Sequence, residues 1–278
     1  MGPNRTTLIL FVALFAASAG AQSTSSRDNR GNIAGTGSGQ AQQLFAQANQ
    51  SRAQAGVGPL HWDPALANAA SKHCSLMAAE QSLSHRFDGE LNLEERAGQS
   101  GAHFARIEEN VASATRAEDL HPGWMNSPPH RANLLNAEVD SVGIAVEYRG
   151  GVFYAVADFA RGVPLRSQME VESALASLLR KQKIQVRSDP NDARAACTLQ
   201  NGIPRALTGS QPGFVMRWQD PDLSRLPQPL QERLGSGNYV QAAVGSCPAQ
   251  SVQGSFTVYR MAVLLYGPAS TNDGKRAY

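Results

Sequence analysis

Two runs rich in β-branched and aromatic residues, Val139 to Tyr148 and Val152 to Phe159, flank the turn Arg149-Gly150-Gly151. A Gly-Gly pair between two such runs is a hairpin signal, because a tight hairpin turn needs positive φ at both central positions and glycine adopts it without steric cost. Helical patterns precede this hairpin. Helices first and an antiparallel pair last predict an α+β fold in which helices pack on a sheet.

The helical patterns are local and readable. From Ala41 onward Leu44, Ala48 and Ala55 recur at helical spacing, and Gly56 supplies a stop. Leu60-His61-Trp62 reads as a short extended piece. Asp63 then caps a second helix with Pro64 at its first position, and Leu66, Ala70, His73 and Met77 form one stripe down to about Glu80. His73 lies on that apolar stripe and is read as a satisfied core histidine. Ser82 to Gly101 is polar and turn-rich, with a short helix around Leu93 to Ala97. Ile107 to Ala112 follows, brief and carrying the adjacent acids Glu108 and Glu109.

The stretch HPGWMNSPPHRANLL, His121 to Leu135, holds two histidines around a tryptophan. Ser127 followed by Pro128 reads as a helix start, a hydroxyl cap before a residue that needs no amide partner. His130 then falls in the first turn, where the positive end of the helix dipole favours neutral imidazole. Neutral imidazole is the form that accepts a proton or binds a metal.

All six histidines lie between His61 and His130, and Gly162-Val163-Pro164 punctuates the chain after them. A new amphipathic helix begins near Met169, and Ile184 to Arg187, Phe214 to Trp218, Tyr239 to Val244 and Phe256 to Tyr266 read as strands. This segment predicts a smaller α/β module with a structural or interaction role. Of three cysteines, Cys197 and Cys247 both fall in it and can pair, whereas Cys74 sits on the second helix and reads as a buried thiol.

At the start of the chain, Arg5 precedes a ten-residue apolar run, Leu8 to Ala17, and Ala19-Gly20-Ala21 offers a cleavage site before Gln22. The run is well short of the roughly 20 residues that span a bilayer. These features predict a signal peptide over 1–21 and an exported protein, with no integral membrane segment after cleavage. The small polar stretch 22–40 reads as a flexible linker. The expected organisation is then 41–163, 168–267 and a tail over 268–278. Net charge is +2, and no basic cluster is interleaved with aromatics, which argues against nucleic acid as a partner. No H-E-x-x-H, G-x-S-x-G or C-x-x-C motif is present.

Six segments in order resemble the CAP superfamily, the cysteine-rich secretory, antigen 5 and pathogenesis-related proteins also called SCP-like. They are Asn49-Gln50-Ser51-Arg52, Gly58-Pro59-Leu60-His61-Trp62-Asp63, Leu83-Ser84-His85, Glu108-Glu109-Asn110-Val111-Ala112, Trp124 to Leu135, and Asp158-Phe159-Ala160. The resemblance covers roughly Ala41 to Arg161 and is nearest the bacterial branch. It implies an α-β-α sandwich with a central cleft carrying two histidines and two acids. By motif these are His85, Glu109 and His130, with Glu108 as the alternative acid. The second acid's position is Ser127 here, so the tetrad is incomplete. His121 is a further cleft candidate, a surface loop position being the other reading. Two imidazoles and a carboxylate would resemble an open site for a divalent metal such as zinc. The resemblance therefore implies a cleft that binds a small ligand, a cell-envelope component or a metal. The alternatives are a metal-assisted hydrolase of peptide or envelope bonds, in which His85, Glu109 and His130 are catalytic, and an adhesion or interaction module.

Overall fold

The computed structural model describes residues 33–205, 207–208, 210–248 and 256–268. The signal peptide expected over 1–21, most of the linker expected over 22–40 and nearly all of the tail lie outside the described residues.

Helix α1 (Ile33–Gln54) begins inside the stretch read as linker, which moves the expected start of order from Ala41 to Ile33. Among the residues whose burial is described, the first buried one is Ala41. Strand β1 (His61–Trp62) leads into α2 (Pro64–Glu80), where Asp63 Oδ1 accepts the backbone N–H of Ala65 and Leu66 as the sequence predicts. Next come α3 (Leu93–Gln99), opened by an Asn92–Glu95 capping box, and β2 (Phe104–Ala114). Helices α4 (Leu120–Asn126) and α5 (Pro128–Leu134) precede the hairpin of β3 (Ser141–Arg149) and β4 (Val152–Gly162). Arg149 pairs with Val152 across a turn in which Gly150 and Gly151 have φ of 61° and 84°.

The sheet order is β1-β3-β4-β2, with β1 parallel to β3 and the other neighbours antiparallel. Alternation along β4 sorts the two faces. Ala155, Ala157 and Phe159 pack with Leu44 and Ala48 of α1 and with Leu120, Trp124 and Leu134 of α4 and α5. Tyr154 and Val156 pack with Ala70, Cys74 and Met77 of α2. The sheet is thus covered on both sides, an α+β sandwich. Arg52 clamps it: its buried guanidinium donates to the carbonyls of Gly58, Leu134, Asn136 and Val139. Gly143 of β3 lets α2 approach to backbone contact. Cys74 is buried as expected, its thiol pushed up to about 12 by burial, so it stays protonated and inert.

The second part of the chain repeats this plan. Helix α6 (Gln168–Lys181), strand β5 (Gln185–Val186), α7 (Asn191–Thr198), β6 (Phe214–Asp220), α8 (Gln228–Gly235), β7 (Gln241–Cys247) and β8 (Tyr259–Tyr266) form a sheet of order β5-β7-β8-β6. Here too the short first strand is parallel and the rest antiparallel. Helices α6 and α8 pack on one face and α7 on the other. Gly245 of β7 meets the backbone of α7 as Gly143 meets that of α2. The cross-strand row Gly143–Asp158–Glu109 has its counterpart in Gly245–Ala262–Arg217. The scaffold recurs and the acids do not.

The parts meet where Thr257 N donates to Phe104 O at 2.8 Å and Phe104 packs edge-on against Phe256. A disulfide joins Cys197 at the end of α7 to Cys247 at the end of β7, as the sequence allows. It closes a loop of sequence separation 50. The double substitution of Cys197 and Cys247 by serine should lower stability by about 2–4 kcal/mol. Urea denaturation resolves this, and an unchanged midpoint would mean the bridge is dispensable.

Candidate functional site

Strand β2 is an edge strand, and its two faces carry different tasks. Asn110 points to the α5 side, where its Nδ2 donates to His130 O at 2.8 Å and its Oδ1 accepts from Asn133 Nδ2 at 3.0 Å. Trp124 Nε1 donates to Val111 O at 3.2 Å. These bonds seat α4 and α5 against the strand, and with them His130. Glu109 points to the other side. Its Oε1 accepts from His85 Nδ1 at 2.8 Å, and its Oε2 accepts from Arg96 Nη2. Arg96 Nη1 in turn reaches His85 O at 3.1 Å and Glu90 Oε1 at 3.3 Å. Beneath them His73 is fully buried, with Ser84 O on one ring nitrogen and Glu90 Oε1 on the other. Both partners are acceptors, so both nitrogens must carry hydrogen unless Glu90 holds the proton.

Charge sorts the two cleft histidines. The hydrogen bond to Glu109 raises the pKa of His85, whose ring is 61% exposed, against 4% for the Glu109 side chain. Burial, helped by the charge on His85, lowers the pKa of His130. The two rings are thus shifted in opposite directions, His85 toward the protonated form and His130 toward the neutral one. The direction at His130 is the one expected from sequence, with burial as its leading cause.

Asp158, directly across β4 from Glu109, completes the buried layer. It is wholly buried, and neither carboxyl oxygen has a donor. Two ionised carboxylates cannot bond to each other, whereas a protonated Asp158 donates to Glu109. Burial, then the charge of Glu109, raises its pKa well above the ordinary value. A carboxyl whose pKa rises on folding contributes stability below its unfolded pKa, and loses it as pH climbs through the folded value. Asp158→Asn should remove that loss, so the variant gains on the wild type from about pH 4 upward. Denaturation curves across pH test this, and parallel profiles would contradict it.

The sequence profile of the cysteine-rich secretory protein family, CAP, matches residues 45–159, the same residues that build this sheet and cleft. Residues 45–159 form a CAP domain. An uncharacterized membrane protein of Bacillus subtilis, YlbC, is 28% identical over 106 residues, which are 38% of this chain and 31% of that protein. An extracellular protein with an SCP domain from Bacillus anthracis is 26% identical, covering 49% of this chain and 45% of its own, with a TM-score of 0.43. An outer surface protein of Borrelia burgdorferi is 19% identical over 44% of this chain and 92% of its own, with a TM-score of 0.42. The chain thus spans under half the length of the first two proteins.

Within the CAP sandwich the predicted residues fall in different places. His85 and Glu109 are joined by a hydrogen bond at the edge of β2, and His130 is held to the same strand through its carbonyl, which accepts from Asn110 Nδ2. Glu108 is engaged elsewhere, accepting from Arg106 at 2.9 Å and Asn136 at 2.7 Å. His121 is buried, not on a surface loop, and its Nε2 lies 3.1 Å from Ser51 Oγ of α1; burial lowers its pKa. Ser127 is a correction. It does occupy the N-cap of α5, but its side chain makes no capping bond. Proline at both following positions removes the N–H of the second helical residue, one of the two donors a capping hydroxyl seeks.

For a metal the donor set falls short. Both Glu109 oxygens are taken by His85 and Arg96, and among the described residues no group of three or more His, Cys, Asp or Glu is arranged to hold an ion. The CAP cleft residues that sequence reasoning missed are Arg96, Glu90 and His73 in their supporting role. The sequence reads a short helix around Leu93 to Ala97, the element that carries Arg96, but not which way that residue faces.

Proposed function

We propose that the CAP cleft binds a small polar ligand between His85 and His130, in an exported protein. The observation that carries this reading is the chain Arg96–Glu109–His85. A buried arginine and a buried carboxylate hold an exposed imidazole in one orientation. A side chain fixed in advance loses less entropy on meeting a ligand, which is what a binding group needs. His85, whose pKa Glu109 raises, supplies an N–H donor, and His130, whose pKa burial lowers, supplies an acceptor, a pair suited to hydroxyl and carboxyl groups. Export rests on the signal-like residues 1–21 and on a disulfide, a bond that persists in oxidising compartments. An envelope component is the natural source of such a ligand. Among the described residues no helix is long and apolar enough to cross a membrane.

A hydrolase needs a carboxylate or imidazole free to take a proton from water. Both oxygens of Glu109 are already engaged, which leaves His130 as the base that turnover would use. A divalent metal such as zinc would find two imidazole nitrogens here and would need further ligands from solvent or substrate.

The test is a titration of the protein with soluble envelope fragments, peptide-linked sugars, followed through the histidine ring resonances. Saturable shifts at His85 and His130 are expected, with His85→Ala and His130→Ala each weakening binding about tenfold. Silent rings, or wild-type affinity in both variants, would overturn the reading. Zinc chloride and chelator arms tell a metal-dependent response from a direct one.

A further inference from the structure

The chain's small net charge conceals two opposed halves. Residues 41–163 carry nine Lys and Arg against fourteen Asp and Glu, whereas residues 168–267 carry ten against seven. Asymmetry of this kind marks a part of the chain as a candidate for an anionic partner. Three of the cations, Arg180, Lys183 and Arg187, line one open depression of about 540 Å³ between the end of α6 and the edge strand β5, with Gln185 and Gln241 beside them.

None of the three forms an ion pair among the described residues; Asp192, whose charge acts on the Tyr266 ring that Arg187 stacks on, accepts from Thr208 N instead. Arg187 is fixed by neutral groups. Its guanidinium carbon lies 3.4 Å from the ring centroid of Tyr266, and its Nη2 donates to Ser210 Oγ at 2.9 Å. The fork is oriented while its charge stays uncompensated.

Lys183 adds an independent signal. The end of α6 closes with Lys183 N donating to Arg180 O at 2.9 Å and Ile184 N to Leu179 O at 3.2 Å. This is the paired-bond helix ending whose left-handed position normally holds glycine. Here that position is a lysine with φ 63°. A side chain kept where it strains the backbone is expected where the side chain has a task.

We propose that this depression is an oxyanion site for a phosphate-type group, either free or on a lipid headgroup. A planar guanidinium and an ammonium converging on one space, with amide side chains at the rim, are the donors that such oxygens require. The site is separate from the histidine cleft and does not depend on its reading.

The full-length chain is titrated with inorganic phosphate, and separately sedimented with vesicles of phosphatidylglycerol and phosphatidylcholine or of phosphatidylcholine alone. Saturable binding to phosphate, enrichment on the anionic vesicles, or both, is expected, and weakens as salt rises. Phosphate binding alone assigns the free ion, and enrichment on vesicles assigns the headgroup. Lys183→Gly and Arg187→Gln should each weaken the interaction at least about fivefold. Because Lys183→Gly relaxes the helix ending, its melting midpoint should equal or exceed the wild type, which separates lost binding from lost fold. No response in either arm, or wild-type binding in both variants, would overturn the proposal.

Discussion

Gly143→Ala is expected to destabilise the protein by more than about 4 kcal/mol, the range reserved for a few severe mechanisms. A Cβ at this position would stand 1.9 Å from Ala67 N, 2.2 Å from Leu66 C and 2.6 Å from Ala67 Cα. All three are backbone atoms of α2, so no side-chain rotation relieves the overlap. The helix itself would have to withdraw, opening the layer of Ala70, Cys74 and Met77 against Tyr154 and Val156. It would also draw away His73, which supports the cleft from below. Gly123→Ala is the control. It lies in α4 with nothing within 4 Å of its Cβ, and it should be neutral or slightly favourable. Equal melting midpoints for the two variants would refute the close-approach argument.

Glu109→Ala should cost about 5 kcal/mol, the upper end for removing one partner from a buried ion pair. The variant leaves Arg96 buried with only the 3.3 Å contact to Glu90 as a charge partner. It also releases His85, whose pKa should fall back toward the ordinary value near 6.5. Asp158 loses a like-charged neighbour, but this offset is small, because Asp158 can already avoid repulsion by holding a proton. The experiment pairs urea denaturation with an NMR titration of the His85 ring. Glu109→Gln keeps an acceptor for Arg96 and should lose less stability while still lowering the His85 pKa. A His85 titration unmoved by either substitution would show that Glu109 does not govern the cleft.

Much of the first sheet and its helices was legible because the signals are short-range. The Asp63-Pro64 start of α2, the stripe ending at Met77 and the Gly150-Gly151 turn each depend on residues within a few positions of one another. Strand β2 was legible only in part. Its central residues Glu108, Glu109 and Asn110 are polar on both faces, because one face holds α5 and the other builds the cleft. That breaks the alternation by which a strand is read. Ser127 misled for a local reason too, since the second proline removes a donor that its hydroxyl would otherwise cap.

The residues alone determined which elements form, which histidines and acids are available, and that Cys197 and Cys247 can pair. Tertiary structure decided what those groups do. Glu108 and Glu109 are adjacent in sequence, yet one ties down Arg106 and Asn136 while the other sits at the centre of a buried ionic network, because successive residues on a strand face opposite ways. The partners that give Glu109 its role lie on α3 and in the loop after α2. The repeated strand order of the second sheet was equally hidden, since hydrogen-bond topology is a property of non-local pairing and leaves no mark on the residues that keep it. Only when the two sheets are compared does Arg217 appear where Glu109 stands, and Ala262 where Asp158 does.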